Sequence, residues 1–150
     1  MLLWRIARTV YEPLDGEGAR LHGGRWNSPG IPVIYTAEHL SLAIIETLVH
    51  TDPDLVPDDL AIFEIETTDP VSCKSVDISD LPADWTDVPD HPACRAIGDE
   101  WVHDGECLML AVPSAVVPEE RNYLLNPVHP QMRSVSVARS RPFVFDPRLL

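Results

Sequence analysis

Four residues of this chain belong to types that handle anions, flat cationic rings and developing positive charge: Arg25, Tyr35, Glu46 and Ser114. Arg25 follows Gly23-Gly24 and precedes Trp26. Its planar guanidinium offers a fork matched to phosphate or carboxylate, and glycines beside it allow close approach of the backbone to a ligand. Tyr35 supplies an aromatic face with a hydroxyl. Glu46 lies in an apolar stretch, where a charge is costly unless it is paired or used. Ser114 stands just past a continuous apolar run, residues 107–112. Each residue has a plainer reading alone: an Arg paired with one of many carboxylates, a core Tyr, a solvent-facing Glu, a turn Ser. Together they make chemical sense. A dinucleotide with a cationic base needs a guanidinium for its pyrophosphate, an aromatic face for the base, and a carboxylate for an oxocarbenium-like ribose.

Positioning these groups requires rigid elements on either side of Arg25. Residues 20–30 read as a loop closed by a Ser28-Pro29-Gly30 turn, and the apolar residues 31–34 read as a short strand that delivers Tyr35 at its end. From Glu38 the spacing becomes helical: Leu40, Ala43, Ile44, Thr47 and Leu48 share one face, and Glu46 sits on another. Upstream, residues 2–7 alternate as a strand and residues 15–18 form a polar loop. Downstream, Pro53 and Pro57 among aspartates stop the helix, and residues 60–66 alternate as a half-buried strand. Residues 71–76 suit another strand. Residues 77–92 are rich in Pro and Asp, which predicts a surface loop anchored by Trp85 and able to cover a pocket. A second helix is expected over residues 92–103, with Ala93, Ala96, Ile97 and Trp101 inward and Gly105 ending it. Residues 107–112 predict a strand buried on both faces. Residues 123–130 read as turn-rich, and residues 134–138 as a last strand. This order of short strands, two helices and Pro-rich loops predicts an α+β fold in one domain, residues 1–150, with a mixed or mostly antiparallel sheet.

Composition narrows the classes. A net charge of −13 removes the counterion-release term behind most DNA affinity, so direct DNA binding by this chain is not expected. Lys74 is the sole lysine, and composition bias is the plainer account of so many arginines. The odd cysteine set, Cys73, Cys94 and Cys107, has no C-x-x-C pair, which argues against disulfides and zinc and for a reducing cytoplasm. The histidines lack ligand spacing, so no metal is expected. The N-terminus carries Arg5 and Arg8 within its apolar stretch, unlike a signal peptide, and no run approaches the ~20 apolar residues of a membrane span. The dinucleotide-fold glycine fingerprint, the Walker loop and the G-x-S-x-G elbow are all missing.

At these residues the sequence resembles a known family. GGRWNSPGIPVIYTAEHLSLAIIETLVH together with VPSAVVPEERNYLLNPVHP resembles the RES domain, the toxin half of bacterial RES–Xre toxin–antitoxin pairs; the resemblance spans nearly the whole chain. It implies a fold similar to the diphtheria-toxin-type ADP-ribosyltransferases, with NAD as consumed substrate and no tightly bound cofactor. Carried over by position, the motif residues are Arg25 for the pyrophosphate, Tyr35 stacking on the nicotinamide or its ribose, Glu46 stabilising the cationic transition state, and Ser114 orienting the substrate. Asn122 and Tyr123 match the second block, with Asn122 expected in the binding site. Hydrolysis or phosphorolysis of the nicotinamide–ribose bond is the first expectation. Transfer to a host protein and a non-catalytic interaction module are the alternatives. The implied partner is an Xre-type helix-turn-helix antitoxin that covers the site, with a homodimer of this chain inside the complex. An anchor for a partner's carboxylate is expected at Arg20, Arg25 and Arg121.

Overall fold

A computed structural model describes residues 1–150. Its centre is one seven-stranded sheet in the order β4-β5-β6-β2-β1-β3-β7. The strands are β1 (Leu2–Arg8), β2 (Ile34–Ala37), β3 (Leu60–Thr67), β4 (Cys73–Ser75), β5 (Met109–Pro113), β6 (Arg121–Leu125) and β7 (Val135–Pro142). Every pairing is antiparallel except β4 with β5, so the sheet is mixed and mostly antiparallel, in an α+β domain. Three helices accompany it: α1 (Glu17–His22), α2 (Leu40–Val49) and α3 (Pro92–Asp104).

Alternation along the strands builds a core on each face of the sheet. Ile34, Met109 and Leu125 join Leu3, Phe63 and Ile65 in one cluster. Their neighbours Val33, Leu110 and Leu124 join Trp26, Trp85 and Trp101 in another. Successive side chains of a strand point to opposite faces, so β5 and β6 feed both cores and are apolar throughout their buried length. That explains β5, whose five residues are all buried.

Several elements depart from expectation, each for a local reason. The polar stretch at Asp15–Gly18 and the start of the predicted loop form α1, a short helix between two glycines of positive φ, Gly16 and Gly23. Asp15 Oδ1 accepts from the Glu17 amide at 2.9 Å, and Arg20 Nε donates to Glu17 Oε2 at 2.8 Å one turn later. Such local bonds suffice for a turn and a half too short to show periodicity. The strand expected over residues 31–34 starts at Ile34, because Pro32 has no amide to offer a neighbour. Tyr35 therefore lies inside β2 and pairs with Leu124. Of the segment read as turn-rich over residues 123–130, Tyr123, Leu124 and Leu125 belong to β6, held between β5 and β2, and the turn follows them. Its Tyr-Leu-Leu run is long enough for a strand, but the Asn-Pro that follows dominates the local signal. β3 is buried over Leu60–Phe63 instead of showing one wet face, since cores lie on both sides of it.

α3 follows its sequence signals at both ends. Pro92 occupies the first turn, the His91 ring accepts from the Ala93 amide at 3.1 Å, and Gly105 closes the helix at φ 64°. Its buried stripe is Cys94, Gly98 and Trp101, which keeps Trp101 of the predicted set but is displaced from Ala93, Ala96 and Ile97. The reason is Gly98. A Cβ there would lie 1.6 Å from the Trp26 carbonyl oxygen, so the helix approaches the Trp26 backbone closer than any side chain permits. Gly98→Ala is therefore expected to destabilise by at least about 1–3 kcal/mol, the usual cost of overpacking, read as a lower midpoint in urea denaturation. A midpoint equal to that of the unsubstituted protein would show that the helix can back away without loss.

Candidate active site

A cleft of about 940 Å³ opens over β1, β2 and α2, near the upper end of small-molecule sites. Arg25, Tyr35, Glu46 and Asn122 all line it, with Arg5, Arg95 and residues Thr86, Pro89 and Asp90 of the Asp77–His91 segment. That segment, expected to cover a pocket, forms part of the cleft wall, and Trp85 is buried as its anchor.

Glu46 is brought in by α2. The buried residues of that helix are Leu42 and Ala43, so of the predicted face Leu40, Ala43, Ile44, Thr47 and Leu48 only Ala43 is fully buried. Glu46 lies four and three residues beyond them, so it shares their stripe and points inward. Its Oε1 accepts from Ser114 Oγ at 2.6 Å and from Asn122 Nδ2 at 2.7 Å. Oε2 has no partner in the protein, which leaves it free for a ligand. Ser114 is fully buried and does not line the cleft. Its oxygen accepts from the amides of Val116 and Val117 at 3.1 and 3.0 Å while its proton goes to Glu46. The hydroxyl expected to orient substrate therefore orients the carboxylate instead.

Tyr35 holds the loop that carries Arg25. Its hydroxyl donates to Asn27 Oδ1 at 2.7 Å and accepts from the Trp26 amide at 3.1 Å. A Cβ on Gly24 would sit 2.6 Å from that hydroxyl, and one on Gly23 would sit 2.8 Å from Arg95 Nη2. The Gly-Gly pair thus makes room for protein side chains packed beneath it. Burial pushes the Tyr35 phenol well above the usual tyrosine range, with the Trp26 amide and the charges of Arg95 and Arg25 acting in the opposite direction.

Arg25 has no carboxylate partner. Its Nη1 donates to the carbonyls of Trp85 and Val88 at 2.9 and 3.0 Å, and its guanidinium stands 5.6 Å from the Trp85 ring centroid. The other expected arginines lie elsewhere. Arg20 is tied to Glu17, and Arg121 turns to the Val76 carbonyl beside a small separate hollow. The cleft's further guanidiniums are Arg5 and Arg95, which sequence reasoning passed over. Arg5 is the more telling. Its Nη1 donates to the Tyr35 carbonyl at 2.9 Å, and its Nε is the one buried side-chain polar atom without a hydrogen bond. Burial lowers its pKa, with Asp15 acting the other way. A charged residue in the middle of an otherwise apolar strand was the available signal.

A mixed sheet with a cleft that gathers one fixed carboxylate and three guanidiniums defines a class of site able to hold an anionic ligand. The RES domain family model matches residues 2–146. The chain is 36% identical over 153 residues to the Prs ADP-ribosylating toxin of Sphingobium sp. (strain YBL2), covering 98% of this chain and 95% of that one. It is 38% identical over 152 residues to Toxin Res of Yersinia enterocolitica, covering 99% of each, and 35% identical to Toxin Res of Photorhabdus laumondii, covering 100% of this chain and 97% of that one. The chain belongs to the RES domain family. Its fold is similar to that of a chain in the crystal structure of the M. tuberculosis MbcT-MbcA toxin–antitoxin complex, with a TM-score of 0.77 at 20% identity over 95% of this chain and 83% of that one. No helix is long and apolar enough to cross a membrane.

Tyr35→Phe keeps the ring but strips partners from the Trp26 amide and Asn27 Oδ1. A loss of about 1–3 kcal/mol is expected, measured by denaturant titration. The phenol also sets a pH dependence. Unfolded chains release this proton near pH 10, the folded protein retains it, and stability is therefore lost as pH rises past about 10. Tyr35→Phe should flatten that slope; an unchanged slope would assign it to other groups.

Proposed function

We propose that this protein is the toxin of a toxin–antitoxin pair and that it consumes NAD by breaking the bond between nicotinamide and ribose. The observation that carries the reading is Glu46, held by Ser114 and Asn122 through one oxygen with the other free in an arginine-lined cleft. A leaving nicotinamide takes the bonding electron pair and leaves the ribose carbon with cationic character. A fixed carboxylate stabilises that charge more in the transition state than in the ground state. Oε2 of Glu46 is the atom available to the ribose hydroxyls or the developing cation. Arg25 and Arg5 would hold the phosphates through the guanidinium nitrogens the protein leaves free, and the Tyr35 ring would form the wall against the base or its ribose. No step requires a metal. The antitoxin would silence this activity by covering the cleft; the fold's occurrence in a toxin–antitoxin complex supports such a partner. An Xre-type partner, a homodimer within the complex and a cytoplasmic location belong to the same reading.

Water, phosphate or a protein side chain could accept the ADP-ribosyl group. Transfer to a protein is the second reading, favoured by the relative named for ADP-ribosylation of Prs. Purified protein freed of antitoxin, incubated with labelled NAD with and without phosphate, separates them by product: free ADP-ribose, a phosphorylated ADP-ribose, or label on a protein band. A non-catalytic interaction module would turn over nothing.

Glu46→Gln keeps the shape and removes the charge, so NAD consumption should fall about 10²–10³-fold, as for loss of one electrostatic stabiliser. Ser114→Ala should lower kcat more than it raises KM, because it frees the carboxylate to rotate without touching the ligand. Consumption within about threefold of normal in Glu46→Gln would remove Glu46 from the mechanism.

A further inference from the structure

Arg95 lies on α3 and its side chain is 25% exposed, facing the cleft beside Gly23 and Gly24. Nε donates to the Gly24 carbonyl at 3.0 Å, which fixes the plane of the guanidinium. Neither terminal nitrogen makes a hydrogen bond within the protein. The nearest carboxylate is Asp90, 3.9 Å from Nη1 and 60% exposed, beyond hydrogen-bond reach. Arg25 is the residue next to Gly24 in the chain, and its Nη1 is already taken by the Trp85 and Val88 carbonyls. Two guanidiniums therefore line one cleft, Arg95 held through Nε and Arg25 through Nη1, each with its remaining donors unspent.

We propose that Arg95 is a further phosphate-holding residue of the cleft beside Arg25 and Arg5, that it acts with Arg25 to select ligands carrying a diphosphate, and that Asp90 restrains it by competing for the same nitrogens. The inference rests on the reading of the cleft as a dinucleotide site and adds a substrate feature to it. One guanidinium edge fits the oxygens of one phosphate. A diphosphate has two such groups joined through one oxygen, so two guanidiniums lining one cleft match it where a single arginine does not. Asp90 belongs to the segment that Arg25 holds through Trp85 and Val88, so the competing anion is carried by the cleft's own wall. Entry of the ligand's phosphate transfers Arg95 from a loose pair with Asp90 to a charge-assisted one with the ligand.

The test uses the full chain freed of antitoxin and ADP-ribose as probe, which carries the diphosphate and no nicotinamide bond. Calorimetry should show Arg95→Gln binding about 10- to 100-fold more weakly, the range for a hydrogen bond to a charged group. Steady-state NAD consumption should show the same rise in KM with kcat nearly unchanged, because the interaction is equal in ground and transition states. Asp90→Asn leaves the Arg95–Gly24 bond in place and should bind about two- to fivefold more tightly, the worth of a partly exposed ion pair. Removing a cleft carboxylate favours any anion, so the restraint is read as the part of that gain that disappears when Asp90→Asn is combined with Arg95→Gln; a purely structural Arg95 predicts the same gain on both backgrounds. Unchanged affinity in Arg95→Gln, or a fall in kcat equal to the rise in KM, overturns the proposal; unchanged or weaker binding by Asp90→Asn overturns the restraint. If Arg95→Gln fails to fold, Arg95→Lys, which keeps the charge and loses the fork, is read in its place, with weaker binding expected and unchanged affinity overturning the proposal. Unsubstituted protein that neither binds ADP-ribose nor consumes NAD overturns the dinucleotide reading as well, whereas turnover with an inert Arg95 overturns this inference only.

Discussion

The two hydrogen bonds that converge on Glu46 Oε1 join α2, the end of β5 and the start of β6 at one atom. A carboxylate half-enclosed by a helix and a sheet keeps its charge only if donors replace the water it loses. Ser114 and Asn122 supply them, and Ser114 is itself fixed by two backbone amides, so the carboxylate is oriented by a chain of bonds ending in the main chain. Bonds to a charged acceptor are worth about 1.5–3 kcal/mol each. Removing the serine would therefore cost twice: the carboxylate loses a donor, and two backbone amides lose their acceptor. Through this junction the packing of α2 on the sheet becomes the aim of a single oxygen.

A second junction fixes the other side of the cleft. α3 touches the residue 23–30 loop at three successive points: Arg95 at the Gly24 carbonyl, Gly98 against the Trp26 carbonyl, and Asp99 at the amide and hydroxyl of Ser28, 2.8 and 2.6 Å away. From within, Tyr35 binds the same loop through Trp26 and Asn27. A loop with so little regular structure would ordinarily be mobile. Here its backbone groups are claimed by side chains from a helix and a strand, so Arg25 stands on a support nearly as rigid as the sheet.

The site was more legible in the sequence than the elements that carry it. Arg25, Tyr35 and Glu46 were recognisable because their chemistry is conspicuous in an apolar or glycine-rich setting, and the cleft does gather them. α2, α3 and β5 were legible because caps, prolines and continuous hydrophobicity are local signals. β6 was hidden by the turn residues after it, and α1 by its length. The role of Ser114 was beyond sequence reading altogether: whether a hydroxyl faces ligand or carboxylate depends on contacts 68 residues apart. Arg5 was overlooked for a related reason. Within an alternating strand a charged residue reads as solvent-facing, and only the assembled sheet shows that it points into an enclosed cleft.

Arg5 also shows where the fold accepts a local cost. The chain carries a net charge of −13, yet Arg5 and Arg25 make no ion pair, and Arg95 meets Asp90 only at 3.9 Å. A guanidinium stays protonated even when buried, so Arg5 keeps its charge with Nε unsatisfied, at a cost of about 1–3 kcal/mol for the missing bond. A protein with 24 acidic side chains does not lack partners for Arg5 and Arg25. Pairing each with an Asp or Glu would have favoured folding and filled the cleft with the wrong anions. Leaving them unpaired stores part of the binding free energy in the empty protein, because an entering anion gains its own contacts and also relieves desolvated donors. The same accounting explains why Glu46 is satisfied through one oxygen only. A second internal donor would have made the carboxylate more comfortable in the empty cleft and less available to a cation forming beside it.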